Sequence, residues 1–560
     1  MNFWEHFLRL LLCRPKSALA ALYWHVTRRK VRARNRLSAA SADLPFAYRI
    51  WMAKIEKNPQ VLRDASVTIE NWAWHPRFSV LVVGPTDSSK EELARTIGSI
   101  DDQIYPYHSV LEGPWDAIAS PIAGADGDFV VPLRIGNALS ETALFHFAEE
   151  LQKAPSPSIL YGDEDELDDR GRRTRPWFKP RWNEEMFLAQ DYLSSAVAIE
   201  TDLARSVASE QSVDDIPGLV LRATAAAEGA IVHVPHIVCH VANERSSSRG
   251  SRRDEALSQH LQPLGATCAP GPFQTTKVEW PLPSKLPLVS IIVPTKDRIE
   301  LLRPCLESVL DRTDYGNFEI LIVDNGSVEA QTADFLVEIS ADPKVRVLNY
   351  PGRYNFSAIN NHAAAQAHGS FLCLLNNDTE VVERAWLTEL MRYAVRPEIG
   401  AVGPKLLYED GSIQHAGVII GIGNAAGHAH RFLPANSPGY FNMPHIAQFV
   451  SAVTAACLVV EKGKFEAVDG LDEESLAVAF NDVDLCLKLQ SAGWRNVYVP
   501  HAVLLHHESK SRGSDAAPDQ IDRYRSELQV LQERWRTKTF LDPLHNPNLD
   551  RYSETFVVRL

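Results

Sequence analysis

The chain has 560 residues, of which 45% are hydrophobic and 23% charged, a composition typical of folded globular proteins and a length too great for one core. Its 57 Lys and Arg against 71 Asp and Glu give a net charge of −14, which argues against a general nucleic-acid binder. Its 7 cysteines never form a CxxC pair, which excludes the usual zinc and redox motifs. No run approaches the roughly 18 apolar residues of a membrane span, so we expect a cytoplasmic protein.

Residues 1–37 depart from this acidic composition, because their Lys and Arg residues outnumber the single acidic residue, Glu5. Apolar residues at mostly helical spacing, interrupted by Pro15, predict two short helices. An apolar face beside basic residues suits peripheral contact with the inner face of an anionic plasma membrane. A basic tail, packed on the protein or disordered, is the alternative. The apolar positions are Trp4, Phe7, Leu8, Leu11, Leu12, Leu19, Leu22 and Trp24.

From residue 78 onward a strand–helix–strand pattern occurs twice. Residues 127–144 align with residues 369–386 without a gap. ILYGD at 159–163 aligns with LLYED at 406–410 at a different offset. We therefore predict an α/β protein with two tandem domains. The expected divisions are a basic N-terminal segment 1–45, a first domain 46–245, a linker 246–285, a second domain 286–515 and a C-terminal helix and tail 516–560.

In the second copy, polar side chains follow the predicted strands. Thr295 and Asp297 come after the first strand and Asp324 after the next, and the carboxyl ends of parallel strands form the crevice where such sheets bind ligands. A turn or helix-capping role for Asp324 is the alternative. The segment 293–298 contains no glycine, so neither a dinucleotide-binding loop nor a P-loop is present.

Further along, Asn376-Asn377-Asp378 follows a third strand and supplies the oxygen ligands that Mg²⁺ or Mn²⁺ prefers when phosphates complete the site. Asp482 opens a helix, near its positive end, and the pair His506-His507 precedes a Ser- and Arg-rich loop that could contact phosphate. Each signal is weak by itself, since capping explains the acids and histidine pairs are often structural.

Their order along 288–515 resembles that of family 2 glycosyltransferases with the GT-A fold, a Rossmann-like, mixed and mainly parallel sheet. The closest likeness is to bacterial polysaccharide and O-antigen enzymes built as tandem domains, which share motifs such as IQHAGVIIG at 413–421 and FNDVDLCLKL at 480–489. The resemblance implies a nucleotide-sugar donor, a glycan or lipid-linked glycan acceptor, a Mg²⁺ or Mn²⁺ cofactor and no nucleic-acid partner.

The resemblance also implies roles for individual residues. Asp482 takes the position of the catalytic base, and Asp378 that of the metal-binding acid, with His506 or His507 as a late metal or diphosphate contact. His415 and Asp484 are placed on the acceptor side. The expected nucleotide-sugar contacts are Pro294, Thr295, Asp297, Asp324, Asn376 and Asn377.

One base and one metal suffice for inverting transfer, whereas a covalent retaining route needs a second carboxylate that no motif supplies. The alternative is a non-catalytic scaffold that binds nucleotide-sugar or glycan, which the amide at Asn376 favours.

The first copy is expected to be degenerate. We expect its second strand to be largely missing and replaced by HSVLEGPWDA, and Arg134 falls at the position of Asn376. Asp163-Glu164-Asp165 looks like a metal-binding DxD motif, but it falls one strand too late, so we assign it a structural or acceptor-binding role.

Overall fold

The computed structural model describes residues 3–30, 33, 36–37, 40, 45–56, 59–85, 88–153, 157–209, 215–242, 250–507 and 520–559. It divides into two compact units. The first comprises Met1–Cys268, His545–Asp550 and Phe556–Leu560, and the second comprises Ala269–Leu544 and Arg551–Thr555. Each unit contains its own mixed β-sheet flanked by helices, which confirms the predicted α/β class with two sheet-bearing domains.

The strands of the first unit are β1 Phe78–Gly84, β2 His108–Pro114, β3 Phe129–Arg134, β4 Ala138–Leu139, β5 Ile159–Leu167, β6 Arg173–Trp177, β7 Val197–Glu200 and β8 Ile231–Ala242. Its helices are α1 Phe3–Cys13, α2 Pro15–Val26, α3 Pro45–Trp51, α4 Pro59–Glu70, α5 Lys90–Asp101, α6 Ala119–Ala123, α7 Ala143–Leu151, α8 Glu184–Ala189, α9 Thr201–Ser209, α10 Ile216–Ala226 and α11 Gly250–Leu261.

The first sheet has the order β2-β1-β3-β7-β5-β8-β4, with β6 paired to β5. Its central strand β1 is an apolar run that is buried along its whole length, and both of its neighbours are parallel to it. The strand that we expected to be largely missing is present, because HSVLEGP forms β2, with Phe78 opposite His108. The sequence hid this strand because β2 is a half-exposed edge strand without a continuous apolar run.

The strands of the second unit are β11 Val289–Thr295, β12 Phe318–Asp324, β13 Val345–Asn349, β14 Phe371–Leu375, β15 Thr379–Val381, β16 Ile399–Leu407, β17 Ile413–His415, β18 Val418–Ile420, β19 Ala426–His428, β20 Gln448–Val450, β21 Cys457–Glu461 and β22 Arg495–His506. Its helices are α12 Ile299–Arg312, α13 Ala330–Ile339, α14 Phe356–Gln366, α15 Trp386–Ala394, α16 Lys462–Ala467, α17 Asn481–Ser491 and α18 Ile521–Trp535. The strands β9 Thr267–Pro270 and β10 Thr276–Glu279 precede this sheet in the chain.

The second sheet has the order β13-β12-β11-β14-β21-β16-β22-β15. The first four strands are parallel to one another, and β21 runs antiparallel to β14. The helix α12 begins at Ile299 and buries Leu302, Cys305 and Leu306, as its apolar periodicity predicts. Parallel pairing brings the carboxyl ends of β11, β12 and β14 to one edge, where the polar residues of the motifs follow.

The strand registers show how the two copies correspond. Phe78 pairs with Phe129 in the first unit, and Val289 pairs with Phe371 in the second. Following the antiparallel partners of β5 and β16 then places Ile159 at the position of Ala401, so the offset of 242 continues and our shifted alignment of ILYGD over LLYED was wrong. The DxD-like triplet lies in β5, the counterpart of β16, and therefore beyond the position of Asn376-Asn377-Asp378, as we predicted. The short strand β4 lies between the two, so the triplet falls two strands too late and not one.

The N-terminal segment forms the two predicted helices, α1 and α2, on either side of Arg14. Phe7, Leu10, Ala18 and Ala21 form a small buried cluster between them. In the part of the chain that the structure describes, no helix is long and apolar enough to cross a membrane. The segment 246–285, which we predicted as a linker, contains α11, and its residues 246–249 lie outside the described residues.

Candidate active site

The carboxyl ends of β11 and β12 lie side by side, with Thr295 opposite Asp324. Asp324 Oδ1 accepts hydrogen bonds from Ser327 N at 2.9 Å and from Ser327 Oγ at 2.6 Å, so one carboxylate oxygen closes the turn after β12. Thr295 Oγ1 accepts a hydrogen bond from Asn377 Nδ2 at 3.1 Å, which ties the loop after β14 to the end of β11. Three of the predicted donor-site residues therefore lie at this edge.

Asp297 has a scaffolding contact that the sequence did not reveal. Its Oδ1 accepts hydrogen bonds from Val328 N at 2.8 Å and Glu329 N at 2.9 Å, just before α13 begins. Its backbone adopts a positive φ of 54°. Asp297 therefore fastens the loop after β12 to the loop after β11. Pro294, another predicted donor-site residue, lies within the buried strand β11.

A corner next to β14 brings together Asp378 and His506. Their Oδ1 and Nε2 atoms are 3.1 Å apart, and Asn376 Nδ2 lies 3.2 Å from the same Nε2 atom. His506 Nδ1 lies 2.6 Å from Gln414 Oε1, an acceptor, so the neutral ring carries its proton on Nδ1 and presents a lone pair at Nε2. A lone pair and a carboxylate oxygen that converge in this way have the donor chemistry of a divalent-cation site.

Two protein ligands alone do not complete such a site. Among the described residues, no three His, Cys, Asp or Glu side chains come together as metal ligands. Asp378 and His506 therefore fit Mg²⁺ or Mn²⁺ when a nucleotide diphosphate supplies further oxygens. This is the arrangement expected of a cation that binds together with its donor substrate.

The neighbouring histidine faces elsewhere. His507 Nδ1 lies 2.6 Å from Glu409 Oε1, and its Nε2 lies 3.8 Å from Glu380 Oε2. Successive side chains of an extended strand point to opposite faces, so only one of two adjacent histidines can face Asp378. Of the two side chains, only that of His506 faces Asp378. The Ser- and Arg-rich loop after His507, residues 508–513, lies outside the described residues.

Asp482 lies in the first turn of α17, where the positive helix end favours a carboxylate. Its Oδ2 accepts a hydrogen bond from Ala455 N at 3.1 Å and its Oδ1 from Val483 N at 2.8 Å. Burial raises the pKa of Asp482 above the ordinary aspartate range, although these hydrogen bonds and one from Thr454 act in the opposite direction. Its proton affinity is therefore shifted toward that of a useful base.

Asp482, Asn376 and His506 line one open cavity of about 230 Å³. Arg431 and His428 line the same cavity, and Arg431 Nε donates a hydrogen bond to Tyr408 Oη at 2.8 Å. The predicted base position thus faces the same cavity as Asn376 and His506, the two residues beside Asp378.

The two predicted acceptor-side residues do not line this cavity. His415 is fully buried with its Nδ1 2.9 Å from His428 Nδ1, and burial lowers its pKa well below the ordinary histidine range. Asp484 is also fully buried, and its Oδ1 accepts hydrogen bonds from Arg534 Nη1 and Trp535 Nε1, both at 2.8 Å. Asp484 therefore holds α18 against α17.

Sequence reasoning missed two residues that support the site. Gln414 orients His506, and its place in the quoted motif IQHAGVIIG was a signal for it. Glu527 of α18 is buried and accepts hydrogen bonds from Val478 N and Ala479 N, both at 3.0 Å, in the loop that lines the cavity before Asp482. No motif marks Glu527, because its partners are backbone groups about 50 residues earlier in the chain.

The first unit lacks the corresponding groups. By strand register, Gly84, Pro114 and Arg134 stand where the second unit has Thr295, Asp324 and Asn376. None of these three residues carries a carboxylate. The strand registers therefore agree with the expectation that the first unit has lost the donor site.

The three acidic side chains of the DxD-like triplet in the first unit already have partners within the protein. Asp163 accepts hydrogen bonds from Asn546, and Asp165 pairs with Arg173 at 2.5 Å. Glu164 pairs with the buried Lys179 at 2.8 Å. These contacts favour, for Asp163 and Asp165, the structural one of the two roles, structural or acceptor-binding, that we assigned to the triplet.

Comparison with known proteins identifies the second unit. Residues 290–453 match the family model Glycosyl transferase family 2. The chain therefore contains a domain of this family. It is 39% identical over 458 residues to the uncharacterized protein y4gI of Sinorhizobium fredii, covering 78% of this chain and 50% of y4gI. It is 38% identical over 414 residues to the O-antigen biosynthesis protein RfbC of Myxococcus xanthus, covering 71% of this chain and 32% of RfbC.

The chain spans only half or less of the length of these two relatives. Among solved structures, it is similar to the mannosyltransferase PcManGT from Pyrobaculum calidifontis in complex with GDP-Man and Mn²⁺. That match has a TM-score of 0.34 and 15% identity, and it covers 48% of this chain and 70% of PcManGT.

Proposed function

We propose that the second unit transfers a sugar from a nucleotide-sugar to a hydroxyl group of a growing bacterial surface glycan or lipid-linked glycan, with inversion at the anomeric carbon. The observation that carries this proposal is the cavity shared by Asp482 and the corner of Asn376 and His506. The match of residues 290–453 to the family 2 model supports sugar transfer, and the name of RfbC supports a role in O-antigen or related polysaccharide synthesis.

In this proposal Asp482 is the general base. It accepts the proton of the acceptor hydroxyl as that oxygen attacks the anomeric carbon and the bond to the nucleotide diphosphate breaks. Its raised pKa brings its basicity closer to neutral pH, where proton acceptance is most effective. A single displacement by the acceptor places the new bond on the opposite face of the sugar, which is inversion.

Asp378 and His506 would hold Mg²⁺ or Mn²⁺, and the cation offsets the negative charge that develops on the leaving diphosphate. The nucleoside would lie along Pro294, Thr295 and Asp324 at the ends of β11 and β12. Asp297 would act indirectly there, because its carboxylate is engaged by backbone N–H groups of the adjoining loop.

The two adjacent histidines provide a matched test. Purified full-length protein is screened against a panel of nucleotide-sugars with Mg²⁺ or Mn²⁺, and released nucleotide and glycan product are both measured. We expect His506→Ala to lower kcat by about 10²-fold or more, since one electrostatic contact to the leaving group is removed. His507→Ala should remain within about twofold, because its ring contacts Glu409.

Equal effects of the two substitutions would contradict the assignment of His506. Metal-dependent nucleotide binding by calorimetry, without turnover of any donor in the panel, would instead favour the non-catalytic scaffold. Full activity in the presence of EDTA would contradict the metal dependence.

We further propose that the N-terminal helices bind an anionic membrane surface at the inner face of the plasma membrane. On α1, Trp4, Leu8 and Leu12 lie on one face and are exposed by 53%, 60% and 89%. On α2, Leu19 and Tyr23 are exposed by 55% and 60%. The opposite faces pack on each other, and these outer side chains lie outside the buried cluster, with Trp4 contacting its edge through the ring of Phe7.

Basic residues flank the two stripes. Arg14 lies between the helices, Lys16 lies in the first turn of α2, and Arg28 and Arg29 follow α2. Each basic residue near an anionic lipid surface contributes about 1 kcal/mol of attraction, and the exposed side chains can enter the interface. This combination fits peripheral attachment that weakens as salt screens the charges.

Liposome sedimentation tests this attachment. We expect the full chain to bind vesicles of mixed neutral and anionic lipid at low salt, and Leu8→Glu with Leu12→Glu to abolish that binding. Val337→Glu, which changes an apolar side chain that is 74% exposed on α13, is the control and should bind like the wild type. Binding that is unaffected by the double substitution would contradict the proposal.

A further inference from the structure

The first unit retains a cavity of about 200 Å³ in the place where its sheet would carry a donor site. Val83 and Arg134 line it, and by strand register they stand where the second unit has Pro294 and Asn376. Val241 also lines it and, through the pairing of β4 with β8, stands where His506 lies. The first unit therefore has a cavity at the equivalent place, but different side chains line it.

The changed groups are unsuited to a metal–diphosphate. The guanidinium group of Arg134 replaces the amide of Asn376, and the apolar Val241 replaces the imidazole of His506. A fixed cation and an isopropyl group cannot coordinate Mg²⁺ or Mn²⁺. Carboxylates also line the cavity, from Glu164, Asp191 and Asp215, but no three such side chains come together as metal ligands among the described residues. We therefore expect this cavity to take a different class of ligand from the cavity of the second unit.

Two indole rings, of Trp115 and Trp177, contribute to the wall of the cavity. The guanidinium of Arg134 lies 6.0 Å from the centre of the Trp115 ring, within the range of a cation–π contact. Large aromatic walls combined with a few placed polar groups are the usual composition of a small-molecule site. Indole rings are rigid and offer a flat apolar surface.

The polar groups of the cavity are held in position by the surrounding structure. Glu164 Oε2 is held by Lys179 Nζ at 2.8 Å and by the hydroxyl of Ser195. Asp191 Oδ1 accepts hydrogen bonds from the backbone N–H groups of Leu193 and Ser194, both at 3.1 Å. Their positions do not depend on a ligand.

Ser194 is the informative member of this set. Its hydroxyl is buried, lines the cavity and has no hydrogen-bond partner among the described residues. A buried hydroxyl without a partner costs free energy, so a hydrogen-bonding ligand at this place would remove that cost. The cavity thus offers apolar ring faces and unsatisfied polar capacity together.

A pyranose ring matches this pattern, because its C–H groups form an apolar face and its hydroxyl groups form a hydrogen-bonding rim. We propose that this cavity of the first unit binds a sugar residue of the acceptor or product glycan, without metal and without nucleotide. This inference rests on the proposed function for the identity of the glycan, and it assigns glycan retention to the unit that lacks transfer chemistry.

The test uses the full-length protein in EDTA with an array of oligosaccharide fragments from bacterial surface polysaccharides, followed by calorimetry with the tightest fragment. We expect Trp115→Ala and Ser194→Ala each to weaken binding about five- to tenfold, the loss expected for an aromatic contact or a hydrogen bond. Trp115→Phe should restore most of the lost affinity, and Trp74→Ala, which removes an indole exposed by 42% outside the cavity, should leave it unchanged.

Thermal unfolding of every variant checks that the first unit remains folded. Binding of no fragment, binding that Trp115→Ala leaves unchanged, or binding that requires Mn²⁺ would each overturn the inference. Transfer activity is measured separately with Asp378→Ala. Fragment binding that survives in this variant supports the inference even if no donor is ever turned over, so failure of the proposed function and failure of the inference are distinguishable.

Discussion

The two sheets share their strand registers and differ at the ends of their strands. Val289 opposite Phe318 in the second unit repeats Phe78 opposite His108 in the first. Both central strands, β1 and β11, are buried along their whole length. Packing from both sides therefore restricts these strands to apolar residue types. Residues just beyond the strand ends face a crevice and are restricted by function instead, which is why they diverged.

Acidic residues show the same division between the units. In the first unit, Asp163 and Asp165 are buried and engaged by side chains of their own unit. In the second unit, Asp482 lines an open cavity, and Asp378 lies 3.1 Å from His506, which lines the same cavity. A sequence motif with the right letters is therefore a poor guide unless its strand position is known.

The largest expected effect comes from the proposed base. Asp482→Asn keeps the size of the side chain but removes its basicity, so we expect kcat to fall by about 10²- to 10⁴-fold. Product formation from a nucleotide-sugar measures it. Asp311→Asn, an exposed aspartate on α12, is the control and should retain full activity. Activity of Asp482→Asn close to that of wild type would remove Asp482 from the mechanism.

Removing a buried carboxylate of the first unit should lower the stability of the protein and leave sugar transfer unchanged. Asp165→Ala leaves the guanidinium of Arg173 without one of its two acidic partners, Asp165 and Glu56. We expect the free energy of unfolding to fall by about 3 kcal/mol, as for other broken buried ion pairs. Denaturant unfolding measures it, and the folded fraction should transfer sugar at the wild-type rate. A stable variant with lost activity would show that the units differ less than we propose.

A smaller effect is expected from the helix that supports the site. Glu527→Ala leaves the N–H groups of Val478 and Ala479 without their carboxylate partner. Displacement of the loop before Asp482 should lower kcat by about 10-fold and the free energy of unfolding by about 2 kcal/mol. Glu533→Ala, on the exposed side of the same helix, should change neither quantity measurably. Equal behaviour of the two variants would contradict a positioning role for Glu527.

The mildest test changes only the pH. Because the base must be ionised, kcat/KM should fall as pH decreases through the pKa of Asp482, which burial raises above the ordinary aspartate value of about 3.9. The rate profile is measured with circular dichroism at each pH to confirm folding. An acid limb centred at or below the ordinary value would contradict the proposed environment of this carboxylate.

Much of the architecture follows from the sequence by itself. Continuous apolar runs such as 289–293 indicate strands buried on both faces, and their recurrence indicates two copies of one α/β unit. The order of polar residues after these strands predicts which loops carry the candidate site, since parallel strands share one carboxyl edge. The half-exposed strand β2 escaped prediction because burial, which produces the apolar run, is incomplete at a sheet edge.

Only the tertiary structure decided how individual side chains are used. His506 and His507 are alike in sequence, but the pairing of β22 with β15 directs His506 toward Asp378 and His507 toward Glu409. Asp297, Asp482 and Asp484 all accept hydrogen bonds from the protein, but only Asp482 lines the cavity. Asp297 fastens a loop, and Asp484 is fully buried beside Arg534. Local sequence determines which residue types follow a strand or begin a helix. Partners that are distant in the chain determine whether each carboxylate or imidazole faces a cavity or is satisfied inside the protein.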